Sequence, residues 1–448
     1  MISAIGLIAA LALLIYLTVR GWNILIAAPI AAALVAATSG IAWMPPLAED
    51  GAPDFATGYM SGFAKFFADW FPMFLLGAIF GEYMKVSGAA KSIARWIIDT
   101  VGDKHALLAV VGACAVLTYG GVSVFIVAFA VYPMAVSIFR EADLPRRFMP
   151  AAITFGSVTF TMTSAGSPEI QNLIPMQYLG TKATAAWEVS LITALLMAVA
   201  GQFWLQRMVA KAKANGEGFI ERDEELAEED ATDASISPFI SILPLIAVLG
   251  VFLLTQNPGV IPGLSDESLG KWGLVVALGA GVLVAAAAAW RVVSLTPNIL
   301  AVGATSAVVA IVNTCAVVGF GGIAKLSPAF LSALDVLQNL PGAPLIGAAI
   351  AVSVICGLTG SASGGQTIAL PLIAPGYIDA GVDPNELHRV VAISSGALDS
   401  LPHNGYVVTT IRAICGETHE SAYKSVAALT VIVPLVGLIF AIACFLMF

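Results

Sequence analysis

Residues 105–139 read HALLAVVGACAVLTYGGVSVFIVAFAVYPMAVSIF: 35 residues with no formal charge, His105 apart, interrupted at the centre by Tyr119-Gly120-Gly121. A transmembrane helix needs about 20 apolar residues. The block is therefore too long for one span and cramped for two spans plus a loop. A second block of 43 such residues, 336–378, lies between Asp335 and Asp379 and is broken by Thr359-Gly-Ser-Ala-Ser-Gly-Gly365. Glycine-rich backbone halfway along an apolar block fits a re-entrant helical hairpin, whose tip must be buried in protein or face a water-filled cavity. The alternative is a glycine-kinked or tightly packed helix pair, because small residues also serve packing alone.

The rest of the chain is of the same kind. Its 448 residues are 59% hydrophobic and 11% charged, with a mean hydropathy of +0.92, whereas a soluble domain carries roughly 25% charged residues. Twenty basic against 29 acidic residues give a net charge of −9, which leaves no basic stripe for nucleic acid. The cysteines (Cys114, Cys315, Cys356, Cys415, Cys444) show no CxxC or Cys/His spacing, so no disulfide framework, metal or cofactor is expected. Residues 2–19, 21–48, 189–206, 272–290 and 425–448 lack Asp, Glu, Lys and Arg. Further spans are expected near 71–86 and 302–324, each after an amphipathic stretch such as that around Phe63, Phe66, Phe67 and Trp70, and within 234–265. The first block has no basic residue before it and no clear cleavage site, so it reads as a helix and not a signal peptide. The expected fold is an all-α polytopic membrane protein.

With the N-terminus outside and each hairpin entering and leaving on one side, 15 of the Lys and Arg residues fall inside and 5 outside, the latter being Lys65, Lys182, Lys271, Lys325 and Arg389. That is the positive-inside bias. The acidic stretch within 207–236 then becomes a cytoplasmic linker, most simply a solvated loop and not a binding site. The halves on either side resemble each other at an offset near 240. Phe80-Gly81 with Lys85 and Ser87 recurs as Phe320-Gly321 with Lys325 and Ser327, Leu117-Thr118 recurs as Leu358-Thr359, and Gly156 recurs as Gly396. Residues 1–206 and 237–448 would each hold about five spans and one hairpin (about 105–139 and 342–378), with broken helices at the midplane. An odd number of spans inverts one copy relative to the other, as in secondary transporters.

Two spans are polar at mid-depth. Residues 148–168 carry Thr154, Ser157, Thr159, Thr161, Thr163, Ser164 and Ser167. Residues 390–411 carry Ser394, Ser395, Asp399, Ser400, His403 and Asn404, with Pro402 and Gly405 able to interrupt the helix. Singly, such hydroxyls usually bond back to the backbone; as a set beside glycine breaks they suit a cavity lining. The set expected to bind substrate is Gly120, Gly121, Ser123, Thr163, Ser164, Ser361, Ser363, Gly364, Gly365 and Asn404. No Lys or Arg is placed near either tip, so an anion would be held by helix N-termini, glycine amides and hydroxyls. Valine at Gly121 or Gly365 should then abolish binding and leave the fold intact. Asp399, an intramembrane carboxylate, is a functional candidate by default, or else a cap of a half-helix. It is expected to take a coupling proton with His403 as its hydrogen-bond partner or relay, because the first half supplies only hydroxyls at the matching positions. His403 could equally be a neutral packing residue. Glu169 is placed at the outer surface.

Three motifs, Gly396-Ala-Leu-Asp-Ser-Leu-Pro-His-Asn-Gly405, Ser361-Ala-Ser-Gly-Gly365, and Thr159-Phe-Thr-Met-Thr with Gly166-Ser-Pro-Glu-Ile-Gln-Asn172, resemble those of the gluconate permease (GntP) family of the ion transporter superfamily. The resemblance runs along essentially the whole chain. It implies a bacterial inner-membrane symporter that takes up gluconate, 3-hydroxybutyrate, lactate, glycerate or a related anion with protons, sodium being the alternative ion. It also implies an elevator-like transport domain and a homodimer. The last motif looks most like the branch that handles short monocarboxylates. An anion channel would need a continuous polar pore instead, and an intramembrane hydrolase built on Ser400, His403 and Asp399 would need an oxyanion hole that only generic glycine amides offer.

Overall fold

In the computed structural model the described residues are 2–45, 53–101, 105–221, 236–255, 266–291, 295–338 and 344–447. They are almost wholly helical, with one isolated bridge between Ala42 and Asp54 and no strand among them. The first half runs through α1 (Ile2–Val19), α2 (Ile24–Ser39), α3 (Phe55–Val86) and α4 (Ala89–Val101). It continues as α5 (Ala106–Tyr119), α6 (Val124–Glu141), α7 (Met149–Thr154), a π-helical turn over Phe155–Thr159, α8 (Ile170–Leu179) and α9 (Trp187–Ala214). The second half runs through α10 (Pro238–Ser241), α11 (Leu243–Thr255), α12 (Asp266–Ala289), α13 (Pro297–Ala324) and α14 (Pro328–Gln338). It then passes through α15 (Pro344–Thr359), α16 (Ala362–Asp379), α17 (Pro384–Leu398), α18 (Gly405–Val408) with a π-helical turn over Thr409–Ile414, and α19 (His419–Ala427), which leads through Ala428–Ile432 into α20 (Val433–Met447).

Six helices among the described residues are long and apolar enough to cross a bilayer: Phe55–Val86, Trp187–Ala214, Pro238–Thr255, Trp272–Ala289, Pro297–Ala324 and His419–Met447. This is a multi-pass membrane protein. Large apolar side chains such as Ile8, Leu195, Val199, Leu283 and Ile439 face outward, where lipid and not water would meet them. The order long helix, short amphipathic helix, close helix pair, broken segment, short helix, long helix occurs in both halves.

The amphipathic stretch around Phe63 to Trp70 and the span after it form one helix, the 32-residue α3, in which Pro72 does not end the helix. Its start is fixed by Asp54, whose carboxylate accepts from the Thr57 amide at 2.9 Å and from the Thr57 hydroxyl. Thr296 and Pro297 open α13 in the same way. The two long helices lie backbone to backbone. A Cβ on Gly62 would stand 3.0 Å from the Val318 carbonyl, one on Gly322 2.8 Å from the Gly58 carbonyl, and one on Gly303 2.9 Å from Ile79 Cα. Numbers rise along one helix as they fall along the other, so α3 and α13 are antiparallel.

Around this pair α1, α2, α11 and α12 form one packed group. A second group holds α5 to α9 with α15 to α20, in which α17 packs on α8, α15 and α20, and α9 on α20. The short helices α4 and α14 lie between the groups in sequence. Helix α5 has 14 residues and α15 has 16; at 1.5 Å per residue neither reaches across a hydrocarbon core of about 30 Å.

The start of the acidic linker departs from the solvated loop expected for it. Glu217 accepts two bonds from Arg147, at 2.6 and 2.9 Å, Arg140 pairs with Glu221 at 2.8 Å, and the Phe219 amide donates to Asp143 at 2.8 Å. Phe219 also lies beneath the Arg140 and Arg146 guanidinium groups. Arg140, Arg146 and Arg147 lie beside this segment, and its acidic and aromatic side chains find partners there. The Arg147 hydrogen bond holds the Glu217 carboxyl below the usual carboxylate range, so this contact is present at neutral pH and is lost in acid. Residues 222–235 of the linker, and 342–343 at the start of the second expected hairpin, lie outside the described residues.

Candidate functional site

The two interrupted segments sit deep in the second group of helices. In the first, 160–169, only Phe160 and Glu169 are not fully buried; in the second, 399–404, Leu401 and Pro402 are partly exposed and the rest buried. The first interruption is four residues longer. Its N-cap position before α8 is Glu169, where the second half has Asn404 before α18. The first half thus carries an ionisable group after all, at the far end of its break and not at the position paired with Asp399. Glu169, placed at the outer surface from the sequence, is half-buried in this segment.

Most of the hydroxyls serve the backbone. Thr154 donates to Pro150, Ser157 to Ile153, Thr161 to Ser157, Ser164 to Phe160, Ser394 to Val390 and Ser395 to Ala392, at 2.6–2.8 Å. Thr159 reaches across to the Leu429 carbonyl at 3.0 Å. Of the expected substrate hydroxyls, Thr163 stands next to Gly396, where a Cβ would be 3.1 Å from its methyl group.

A guanidinium holds the first interruption in place. Arg389, counted among the outer-loop cations from sequence, is fully buried on α17. It donates through Nε to Ala185 O at 3.2 Å, through Nη1 to Thr163 O at 2.5 Å and Asn172 Oδ1 at 3.1 Å, and through Nη2 to Ala183 O at 3.3 Å and Ala185 O at 2.9 Å. All five of its N–H groups are used, each on a neutral acceptor. Asn172 Nδ2 donates to Ser167 O and Ala183 O, both at 2.9 Å. Its Oδ1 also meets His388 Nε2 at 3.1 Å, and Thr181 meets His388 Nδ1 at 2.6 Å. A cation therefore lies beside the first interruption, a place the sequence reading of the hairpin tips did not cover, and all of its N–H donors are taken by protein acceptors. Arg389 and Asn172 escaped sequence reasoning because nothing local marks Arg389 as buried; its partners lie more than 200 positions away.

The tips rest in different places. At the first, Tyr119 donates to Ala165 O, Gly121 has a φ of +89°, and a Cβ there would be 2.8 Å from Val248 on α11. Gly120 abuts Leu245 in the same way, and Ser123 sits before α6 without a side-chain capping bond. At the second, the Gly360 carbonyl accepts from Asn404 Nδ2 at 3.1 Å, while Asn404 Oδ1 accepts from the Val407 amide at 2.9 Å. Ser361 caps α16 through the Gly364 amide at 3.1 Å, with Ser363 Oγ 3.5 Å away. The structure thus brings Ser361, Ser363, Gly364, His403 and Asn404 together around the second tip, and Thr163 and Ser164 together by Arg389. Gly120 and Gly121 pack against Leu245 and Val248 of α11, and Gly121 also lies beside Pro168 at the end of the first interruption. Asp399 accepts from the Ser400 hydroxyl at 3.0 Å, and the backbone of Ser400 accepts from Tyr423 at 3.1 Å. His403 is buried with neither ring nitrogen hydrogen-bonded, so the expected bond between Asp399 and His403 is not made.

The glycine readings shift as well. A Cβ on Gly365 would be 2.3 Å from Cys356 Sγ and 2.6 Å from Cys356 Cα; protein, not ligand, takes that space. Gly365→Val is therefore expected to stop α15 and α16 from closing on each other. Size-exclusion profiles in detergent should show loss of the folded species, and a monodisperse variant would mean that the pair can spread without losing its fold.

Hairpin and break also meet across the halves. Gln366, in the second turn of α16 and fully buried, donates through Nε2 to the Gln171 carbonyl in the first turn of α8 and to Ser395 Oγ on α17, both at 2.9 Å. On the other side Phe125 of α6 packs edge-on against Tyr406 of α18, centroids 5.2 Å apart.

No family model matches the chain. It is 35% identical over 457 aligned positions, 95% of each protein, to a protein of Bacillus subtilis strain 168 named "Uncharacterized transporter YxjC". An "Uncharacterized transporter" of Haemophilus influenzae is 23% identical over 72% of both chains. Among solved structures, Neisseria gonorrhoeae MtrF, described with a class of antimetabolite efflux pumps, superposes with a TM-score of 0.54 at 14% identity, covering 96% of this chain and 94% of its own. The Alcanivorax borkumensis YdaH transporter superposes at 0.56, also at 14% identity, over 100% of this chain and 99% of its own. Those two likenesses show the fold.

Proposed function

We propose, from the premise that the chain belongs to the family of the Bacillus subtilis transporter YxjC, that it is a secondary carrier for a small hydroxy-carboxylate driven by protons. The observation that supports this most is the junction of α8, α16 and α17. There the starts of two helices from different halves are joined through Gln366 and Gln171, beside a guanidinium without a carboxylate partner among its hydrogen bonds. Helix N-termini and a buried positive field favour an anion. The likeness of the motifs to gluconate permeases supports a carboxylate with hydroxyl groups. Asp399 is the site of the coupling proton, buried at the end of α17.

The antiparallel α3 and α13, which occupy matching places in the two halves, support an inverted repeat and so alternating access about a central site. The short pairs α5–α6 and α15–α16 act as re-entrant hairpins, the group around α3 and α13 as scaffold, and the group holding both interruptions as the moving part. The linker faces the cytoplasm, the membrane is a bacterial inner membrane, and two copies pair. Catalysis of a chemical step is no part of this function.

In proteoliposomes an inward proton gradient should drive saturable uptake of 3-hydroxybutyrate or lactate. Flux that does not saturate would favour a channel. Stimulation by a sodium gradient, with none by protons, would replace the coupling ion.

A further inference from the structure

We infer that Gln171 and Gln366 form an acceptor pair that reads the hydroxyl of the transported acid, which makes them the residues that separate hydroxy acids from their deoxy analogues. This rests on the proposal that the chain carries small carboxylates. The orientation of Gln366 is dictated by its neighbours. Its amide nitrogen faces the Gln171 carbonyl and Ser395 Oγ, each at 2.9 Å, and the Ser395 proton is directed to Ala392 O at 2.7 Å. Both neighbours need a donor, so a flipped amide would set oxygen against oxygen. Gln366 Oε1 must therefore point away from them, and it is buried with no donor. Gln171 Oε1 is a second buried acceptor with no donor, on the residue whose backbone carbonyl Gln366 binds.

Two orphaned amide oxygens in one junction are costly unless something supplies protons to them. A cation could do so by coordination, but the surroundings oppose it. The α8 N-terminus opens one residue earlier at Ile170, the α16 N-terminus lies four residues before Gln366, and Asn172 is bonded to the Arg389 guanidinium. All three bring positive potential to the junction. An anion that carries its own hydroxyl satisfies both demands: the carboxylate meets the positive field, and the hydroxyl donates to the amide oxygens. The partner is a short acid with a hydroxyl near its carboxylate.

Binding to purified protein in detergent tests this with two matched pairs, 3-hydroxybutyrate against butyrate and lactate against propionate. A site built to hydrogen-bond a hydroxyl rejects the analogue lacking it strongly, so the wild type should prefer the hydroxy acid by about 100-fold or more in at least one pair. Gln366→Met and Gln171→Met should cut that preference to below about 10-fold by weakening the hydroxy acid and sparing the deoxy acid. A residue with only a structural role would weaken both acids together. Gln366 also joins α16 to α8 and α17, so its variant can fail to fold; the Gln171 side chain makes no hydrogen bond among the described residues, and its variant keeps the test decisive. Equal binding of both members of each pair by the wild type, or an unchanged preference in Gln171→Met, overturns the inference while leaving a carboxylate carrier standing. Binding of none of the four acids overturns the carboxylate reading itself, and this inference with it.

Discussion

Arg389→Met should produce the largest loss of stability of any single substitution in the interior. It removes the five N–H donors of a fully buried guanidinium and leaves the carbonyls of Thr163, Ala183 and Ala185 without those partners. Each buried acceptor left without a donor costs about 1–3 kcal/mol. Arg389→Lys should rescue little. An ammonium has three donors on a point charge, whereas the present contacts are spread over a planar fork reaching three carbonyls and an amide oxygen. The measurement is thermal unfolding of detergent-purified protein, with recovery from membranes as a second readout. A Met variant that melts with the wild type would mean the 160–186 region is held by other contacts. The expected damage is not confined to stability, since this network fixes the first interruption against α17.

Asp399→Asn should abolish concentrative uptake and leave exchange. The carboxyl is buried at the end of α17, where its partner is the Ser400 hydroxyl, and asparagine preserves both the size and an acceptor oxygen while removing the titration. Counterflow of labelled substrate should stay within about tenfold of the wild type, about 1.4 kcal/mol, and lose its dependence on pH. Uptake against a gradient should fall to equilibration. His403→Gln, at a ring with no hydrogen bond to Asp399, should change counterflow far less. Full accumulation by Asp399→Asn with the wild-type pH profile would make Asp399 a helix-end residue only and move the proton elsewhere.

Charge-free length, glycine spacing and hydropathy were enough to establish a multi-pass helical membrane protein, because a bilayer accepts few arrangements and each leaves a mark in composition. The recurrence of Phe-Gly, Lys and Ser at the ends of the two long helices, and the polar stretches at 148–168 and 390–411, were equally legible, since they are local. The tertiary structure decided what those polar residues do. Most hydroxyls bond to carbonyls three to five positions back, a matter of helical geometry that leaves no sign of which one is spared. Gly365 looks the same in sequence whether a ligand or Cys356 takes its missing side chain; only the neighbouring helix settles it. Arg389 reads as one more loop cation at the start of a helix, yet its four acceptors come from Thr163, Asn172, Ala183 and Ala185, brought to it by a chain that has to travel through an entire half of the molecule first. Gln366 and Gln171 are likewise ordinary until α16 and α8 meet. Burial and pairing are properties of contacts between distant segments, so they appear only when the helices are packed.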